Sequence, residues 1–201
     1  MKNLYTYLFV VLMSMTCIRA YAHNFEMKNS KGVTIYYHIY NNSSTPSSVC
    51  VTYRGTSRYD YSNEYSGKVI IPETVTYNGK TYSVTGIDAY AFLDCSGLTS
   101  VTIPESVTSI GSYAFDGCRG LTSVTIPESV TCIEEHVFDR CSKLTSVTWN
   151  VVNYLDFSPV YSPFNYISKQ ITEFNFGKSV REIPAYLCHG MRFRPIAHFA
   201  G

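Results

Sequence analysis

The residues with most chemical potential in this chain are its cysteines and the few acidic and histidine side chains near them. Cys95, Cys118 and Cys141 are evenly spaced along the chain. If that interval is one turn of a stacked coil, the three lie one above another at about the 4.8 Å spacing of neighbouring strands. That spacing lies inside the roughly 4.4–6.8 Å Cα range of a disulfide. Two readings stay open: a column of packed thiols, since buried cysteine behaves as a small hydrophobe, or one disulfide between adjacent coils. No CxxC or HxxxH pair accompanies them, so metal ligation is not expected. Glu134-Glu135-His136 carries the residue types of an acid–base cluster, but it falls in a variable stretch where solvated side chains are expected. Cys188-His189 pairs a nucleophile type with a base type, yet adjacent side chains diverge. Glu73, Glu105 and Glu128 share one repeat position and form an acidic column. Exposed like charges cost little in water, so hydration rather than a bound cation is expected there. No catalytic residue, cofactor or metal site follows from these patterns, and the expectation is that the chain is not an enzyme.

The elements that must position these residues are β-rich. Among 201 residues there are 23 Ser, 19 Thr, 18 Val, 14 Ile and 18 Tyr against 9 Leu, a β-forming and hydroxyl-rich composition. Hydrophobic residues make up 45% of the chain, enough to bury a core. Sixteen basic against fifteen acidic groups give a net charge of +1, which excludes a strongly basic nucleic-acid surface.

Residues 1–22 read as a signal peptide: Lys2, the apolar run Leu8 to Met13, then Ala20-Tyr21-Ala22, a small-x-small site with cleavage expected after Ala22. The apolar run is far short of the roughly 20 residues that span a bilayer, so a retained anchor is the weaker reading. A lipoprotein reading at Cys17 lacks the small residues expected before it. Processing removes Lys2 and Arg19 and leaves residues 23–201, with one acidic group in excess over the basic ones. The expected localisation is secreted or cell surface, without a membrane span after processing.

The chain is internally repetitive. Leu98 to Gly120 reads LTSVTIPESVTSIGSYAFDGCRG and Leu121 to Lys143 reads LTSVTIPESVTCIEEHVFDRCSK, two copies of one unit that are identical from Leu98 to Thr108 and from Leu121 to Thr131. A third copy begins at Leu144 and diverges into a longer segment that ends at Gln170. A fourth begins at Ile171, with Phe174, Phe176, Val180 and Ile183 at the positions of Val101, Ile103, Val107 and Ile110. An earlier copy is split: Val69 to Glu73 and Ile87 to Cys95 are its two ends, with an insertion between them. That insert holds Asn78-Gly79 between extended flanks, the signature of a two-residue hairpin in which both turn positions need positive φ.

Within one unit Val101 and Ile103 alternate with Ser100 and Thr102, a short strand with one buried face, ended by Pro104. A second extended stretch is expected near Val107 to Ile110, and a single helical or 3-10 turn over Ser112 to Phe115. Phe92, Phe115 and Phe138 should form one buried row, and Trp149 takes the buried Ile126 position. One coil alone has too few apolar residues to offset its ordering entropy, so coils must stack into continuous rows, as in a solenoid.

The pattern LTSVTIPESVTSIGSYAFDGC, with Pro closing the strand and Ala-Phe-x-x-Cys closing the coil, resembles the BspA-like, or Treponema-type, leucine-rich repeat surface proteins. The resemblance covers residues 67–193. It implies a β-rich leucine-rich repeat solenoid of about five coils over 67–193. Residues 23–66 look like the family's small β-rich N-terminal cap, and 194–201 form an irregular tail. The family implies an exported bacterial protein that binds proteins or surfaces, some relatives acting as adhesins, and brings no catalytic residues.

Two faces are candidates for binding. One is the hydroxyl array Thr99, Ser100, Thr102, Thr122, Ser123, Thr125, Thr145, Ser146 and Thr148 on the exposed strand side. The other is the aromatic surface Tyr53, Tyr59, Tyr61, Tyr65, Tyr77 and Tyr82. The expected function is a noncatalytic recognition module that binds a protein or glycan, with no nucleic-acid partner. The alternative is a structural or assembly protein, or a truncated family member, that self-associates through its C-terminal solenoid end. Arg194-Pro195 lacks the next repeat's opening, so the last coil is expected to be thinly covered.

Overall fold

A computed structural model describes residues 23–42, 45–60, 63–152, 154, 157 and 162–192. The signal-peptide reading of residues 1–22, Tyr61 and the tail at 194–201 lie outside the described residues. The chain begins with β1 (Phe25–Lys28), β2 (Thr34–Asn42) and β3 (Thr45–Thr52), two antiparallel pairings with a register shift between Tyr40 and Asn42. Strands β4 (Gly67–Ile70), β5 (Thr74–Tyr77) and β6 (Lys80–Ile87) follow. Asn78 and Gly79 close the β5–β6 hairpin at φ 49° and 74°, the left-handed pair that the Asn-Gly signal requires.

The next two coils each contribute a strand on one side and a shorter one on the other: β7 (Leu98–Thr102) and β8 (Ser109–Ile110), then β9 (Ser123–Ile126) and β10 (Cys132–Ile133). Strands β11 (Ser146–Trp149) and β12 (Glu173–Phe176) complete the first side. There β4 pairs with β7, and β9, β11 and β12 form a parallel ladder in which Val124, Val147 and Phe174 are in register. On the second side β3, β6, β8 and β10 are all parallel, so Val51, Ile87, Ile110 and Ile133 make one row. The cap therefore supplies the first rung of the stack. Among the described residues no helix is long and apolar enough to cross a membrane.

The third side of the coil over Ser112 to Phe115 is a run of turns, not the single helical or 3-10 turn expected there. Its amides alternate. Ala114, Asp116 and Cys118 donate to carbonyls three positions back, while Tyr113, Phe115 and Gly117 donate to Glu135, Val137 and Asp139 of the next coil at 2.8–3.2 Å. A helix would keep all of these bonds inside one coil. Positive φ at Tyr113 (58°) and Gly117 (75°) turns every second amide outward along the stack instead. The 3-10 geometry is confined, among the described residues, to Asn165–Ile167.

The core runs along the stack as columns. Tyr65, Phe92, Phe115, Phe138 and Phe164 follow one another with ring centroids 4.5, 4.8, 5.4 and 5.2 Å apart, the last three pairs nearly parallel. All five rings are fully buried. Trp149 is buried in register with Ile126. In the last coil Leu187 is buried and Cys188 only half-buried, so the Phe115 position is not continued there.

Glu64 joins the cap to the head of this column. It accepts the Arg54 N–H on both carboxylate oxygens at 3.1 Å, beside the buried Tyr65, whose hydroxyl accepts from Tyr36 N–H and donates to the Thr52 carbonyl. Burial pushes the Glu64 carboxyl up to about 7. Between its ordinary range and pH 7 the folded chain then holds a proton that the unfolded chain has released, so this contribution to stability declines as pH rises. Glu64→Gln should flatten that part of the melting profile between pH 5 and 7.5. Parallel wild-type and variant slopes would show that the group does not titrate there.

For the column, Phe115→Ala should cost about 3–5 kcal/mol, a large part of the roughly 5–15 kcal/mol available to a domain. Thr125→Ala should shift stability by no more than about 0.5 kcal/mol. An unchanged thermal melt for Phe115→Ala would overturn the column.

Candidate functional site

The strand face is built by period-two alternation. In β9 Val124 and Ile126 turn into the core while Ser123 and Thr125 face solvent, and β11 repeats the pattern. The parallel register sets Ser146 between Ser123 and Glu173, and Thr148 between Thr125 and Asn175. Thr99, Thr102, Thr122, Ser123, Thr125 and Thr145 are exposed, and Ser100, Ser146 and Thr148 half-buried. Ser100 and Thr102 stand in register with Lys68 and Ile70 of β4, in a two-stranded sheet separate from the β9–β11–β12 ladder.

The aromatic surface needs correction. Tyr65 and Tyr82 are buried, Tyr65 as the first ring of the core column and Tyr82 on the inward face of β6 beside Val84. Tyr77 is half-buried and stacks on Phe25 with centroids 4.2 Å apart. Tyr53 is half-buried, and Tyr59 is 73% exposed. Tyr61 lies outside the described residues.

An outer aromatic file exists elsewhere. Tyr90, Tyr113, His136 and Tyr166 stack at 5.4, 4.9 and 5.6 Å, and the Arg58 guanidinium sits 4.2 Å over the Tyr90 ring. The first three share one repeat position, and each takes positive φ, 64°, 58° and 60°. Their recurrence at the repeat interval was the available signal. Within Glu134-Glu135-His136, Glu134 is exposed, as expected of this stretch, while Glu135 and His136 are half-buried. His136 Nδ1 lies 2.9 Å from Asp139 Oδ2, and Glu134 accepts from Ser112 N–H and Oγ–H at 2.8 and 2.6 Å. The Glu134 bonds fasten one coil to its neighbour. Arg140 does so over a longer span, donating to both Asp116 oxygens at 2.7 Å and lying 3.1 Å from Asp94.

Cys95, Cys118 and Cys141 are free and buried. The Cys118 thiol donates to the Phe92 carbonyl at 3.1 Å and the Cys141 thiol to the Phe115 carbonyl at 3.0 Å, so the column consists of thiols bonded to the preceding coil. Burial pushes Cys95 and Cys141 up to about 12 and Cys118 well above its usual range. Cys188 is likewise pushed up to about 12, and His189 is exposed, its ring edge-on to Tyr186. Glu73, Glu105 and Glu128 are exposed, and the described residues contain no group of ligands arranged for a metal ion.

A concave site lies where the cap meets the coils, with a cavity of about 420 Å³ lined by Tyr40, Cys50, Asp88, Ser109, Gly111 and Glu134 among others. Asp88 is its centre. His38 Nδ1 lies 3.3 Å from one carboxylate oxygen, Tyr40 donates to the other at 3.2 Å, and the Cys50 thiol also hydrogen-bonds to the carboxylate. Burial raises the Asp88 carboxyl and holds the Cys50 thiol at about 12, a protonated donor rather than a nucleophile. Gly86 is required beneath it: a Cβ there would stand 2.6 Å from Cys50 Sγ and 2.8 Å from Ser109 Oγ.

Coils tied edge to edge by parallel ladders, with each core residue repeating along the axis, define a repeat solenoid. The profile of the BspA type leucine-rich repeat region matches six copies across residues 59–192, and the chain belongs to that family. A leucine-rich repeat protein from Bacteroides capillosus is similar over 76% of this chain and 98% of its own, at 25% identity and TM-score 0.53. A leucine-rich repeat protein of T. pallidum covers 74% of this chain and 64% of its own at 20% identity, TM-score 0.49. A leucine-rich cell surface protein from Faecalibacterium prausnitzii covers 78% of this chain and 44% of its own at 20% identity, TM-score 0.45. No curated protein matches the chain.

Thiol reactivity follows from the burial pattern. In the native chain at pH 8, iodoacetamide should modify Cys132, which is exposed, well before Cys95, Cys118 and Cys141, which should react only on unfolding. Peptide mapping by mass spectrometry reads the order. Early labelling of Cys118 would show that the column opens in the native state.

Proposed function

We propose that this chain is an exported, noncatalytic recognition module, processed after Ala22, with a cap over 23–66 and a solenoid over 67–193. It binds a protein or glycan at the cell surface in the manner of an adhesin. The observation that carries this reading is the strand face. Successive coils repeat short hydroxyl side chains in register on a backbone whose opposite face is locked into the core. Such a surface is rigid before contact, which lowers the ordering cost of binding. Its Ser and Thr groups donate and accept hydrogen bonds without the desolvation cost of charges. Membership in a leucine-rich repeat family supports a protein-interaction role.

The test is a binding screen of the immobilised chain against extracellular proteins and a glycan array, repeated with Thr102→Lys, Thr125→Lys and Thr148→Lys combined. The partner should bind at least about tenfold more weakly to the triple variant, at an unchanged melting temperature. Undiminished binding would remove the strand face from the interface. Concentration-dependent self-association with no foreign partner would favour the assembly role.

A further inference from the structure

The cavity at the cap–coil junction has a geometry that the strand face lacks. Ile87, Ile110 and Ile133 are in register, so the residues that follow them, Asp88, Gly111 and Glu134, occupy three successive rungs. Two carboxylates thus flank a glycine, their backbones about 9–10 Å apart at two inter-strand spacings. The middle rung accepts no side chain: a Cβ on Gly111 would stand 2.5 Å from the Ala89 nitrogen. Glu134 leans back over this gap, held by Ser112 N–H and Oγ–H, and Tyr40 of the cap lines the cavity with them.

The charge in the cavity is one-sided. Among the described residues, neither Lys nor Arg lines it and neither carboxylate has a Lys or Arg ion-pair partner. Asp88 faces His38, which is charged only when protonated, together with the neutral donors Tyr40 and Cys50. A carboxylate offers about four acceptor positions, so both Asp88 and Glu134 keep capacity for a further donor. Ala89 and the hydroxyls of Ser48, Thr85 and Ser109 also line the cavity, whereas the Ile87 and Ile110 side chains are buried in the core.

We propose that this cavity receives an arginine side chain of a protein partner, its guanidinium bridging Asp88 and Glu134 across the empty rung at Gly111. A planar fork with five donors fits two separated carboxylates better than the point charge of lysine. The proposal rests on the recognition reading above and gives that reading a specific anchor, since arginine is enriched where single residues dominate binding.

The test is an NMR titration of the ¹⁵N-labelled chain with N-acetyl-arginine amide, and separately with N-acetyl-citrulline amide, its neutral isostere. The arginine probe should produce saturable shifts at the Gly86, Ser109 and Gly111 amides. The citrulline probe should bind at least about tenfold more weakly, and Glu134→Gln should weaken arginine binding by at least about fivefold. Glutamine at 134 keeps a side-chain oxygen that accepts from Ser112 N–H and Oγ–H, so this variant removes the charge and retains the bonds that fasten the coil. Absent shifts, equal shifts with citrulline, or an undiminished response in Glu134→Gln would overturn the proposal. The Thr102, Thr125 and Thr148 triple variant should bind the arginine probe as wild type does. Loss of a macromolecular partner in that variant alone bears on the strand face, and loss of the arginine response alone bears on the cavity.

Discussion

The structure depends on one constraint: a coil of this length cannot satisfy its own backbone. In the turn from Gly111 to Cys118, amides that donate within the coil alternate with amides that donate to the next one. The strands on both other sides take their ladder partners from adjacent coils. Because an unpaired buried amide costs as much as a lost hydrogen bond, every coil is obliged to match the path of its neighbour. Identical paths then force identical core positions, so the phenylalanines, the thiols and the Leu98, Leu121 and Leu144 side chains fall into columns. The columns follow from the ladders, and the ladders tolerate only a narrow range of coil shapes.

The same constraint explains how the cap functions. Its strand β3 runs parallel to β6 and presents Val49 and Val51 where a preceding coil would present its own pair. Antiparallel β1 and β2 then cover the far side, so the edge of the stack is covered by ordinary sheet. Tyr65 finishes the aromatic column from the cap side, its hydroxyl tied to backbone groups of β2 and β3. The polar cluster around Asp88 sits on this seam because there a coil meets a sheet that does not repeat it.

What the sequence made readable was whatever the period or a strong local signal marked. The Phe row, the buried Trp149 and the Asn78-Gly79 turn belong to that class. Phe164 was missed because the third copy, Leu144 to Gln170, is longer than the two before it and shifts the ring out of phase. The outer file was missed because His136 replaces tyrosine at its position, and ring stacking tolerates the exchange while a residue pattern hides it. Tyr65 and Tyr82 were misplaced because tyrosine composition says nothing about burial. The strand face was accessible from alternation alone. The cavity was not, since it needs the register between β3 and β6, two segments that share no repeat.

The two neighbouring coils with identical opening segments, Leu98 to Thr108 and Leu121 to Thr131, carry a consequence for how such a chain changes over time. Phe92, Phe115 and Phe138 are interchangeable partners in the column, and so are the three thiols. Removing or duplicating one of these two units therefore preserves the phenylalanine and thiol columns across the new junction. Extra residues are tolerated where they leave the ladder strands in register, as in the longer third copy, Leu144 to Gln170, which keeps β9, β11 and β12 paired. The Arg140 clamp on Asp116 and Asp94 marks the place where one unit has stopped being interchangeable with the others.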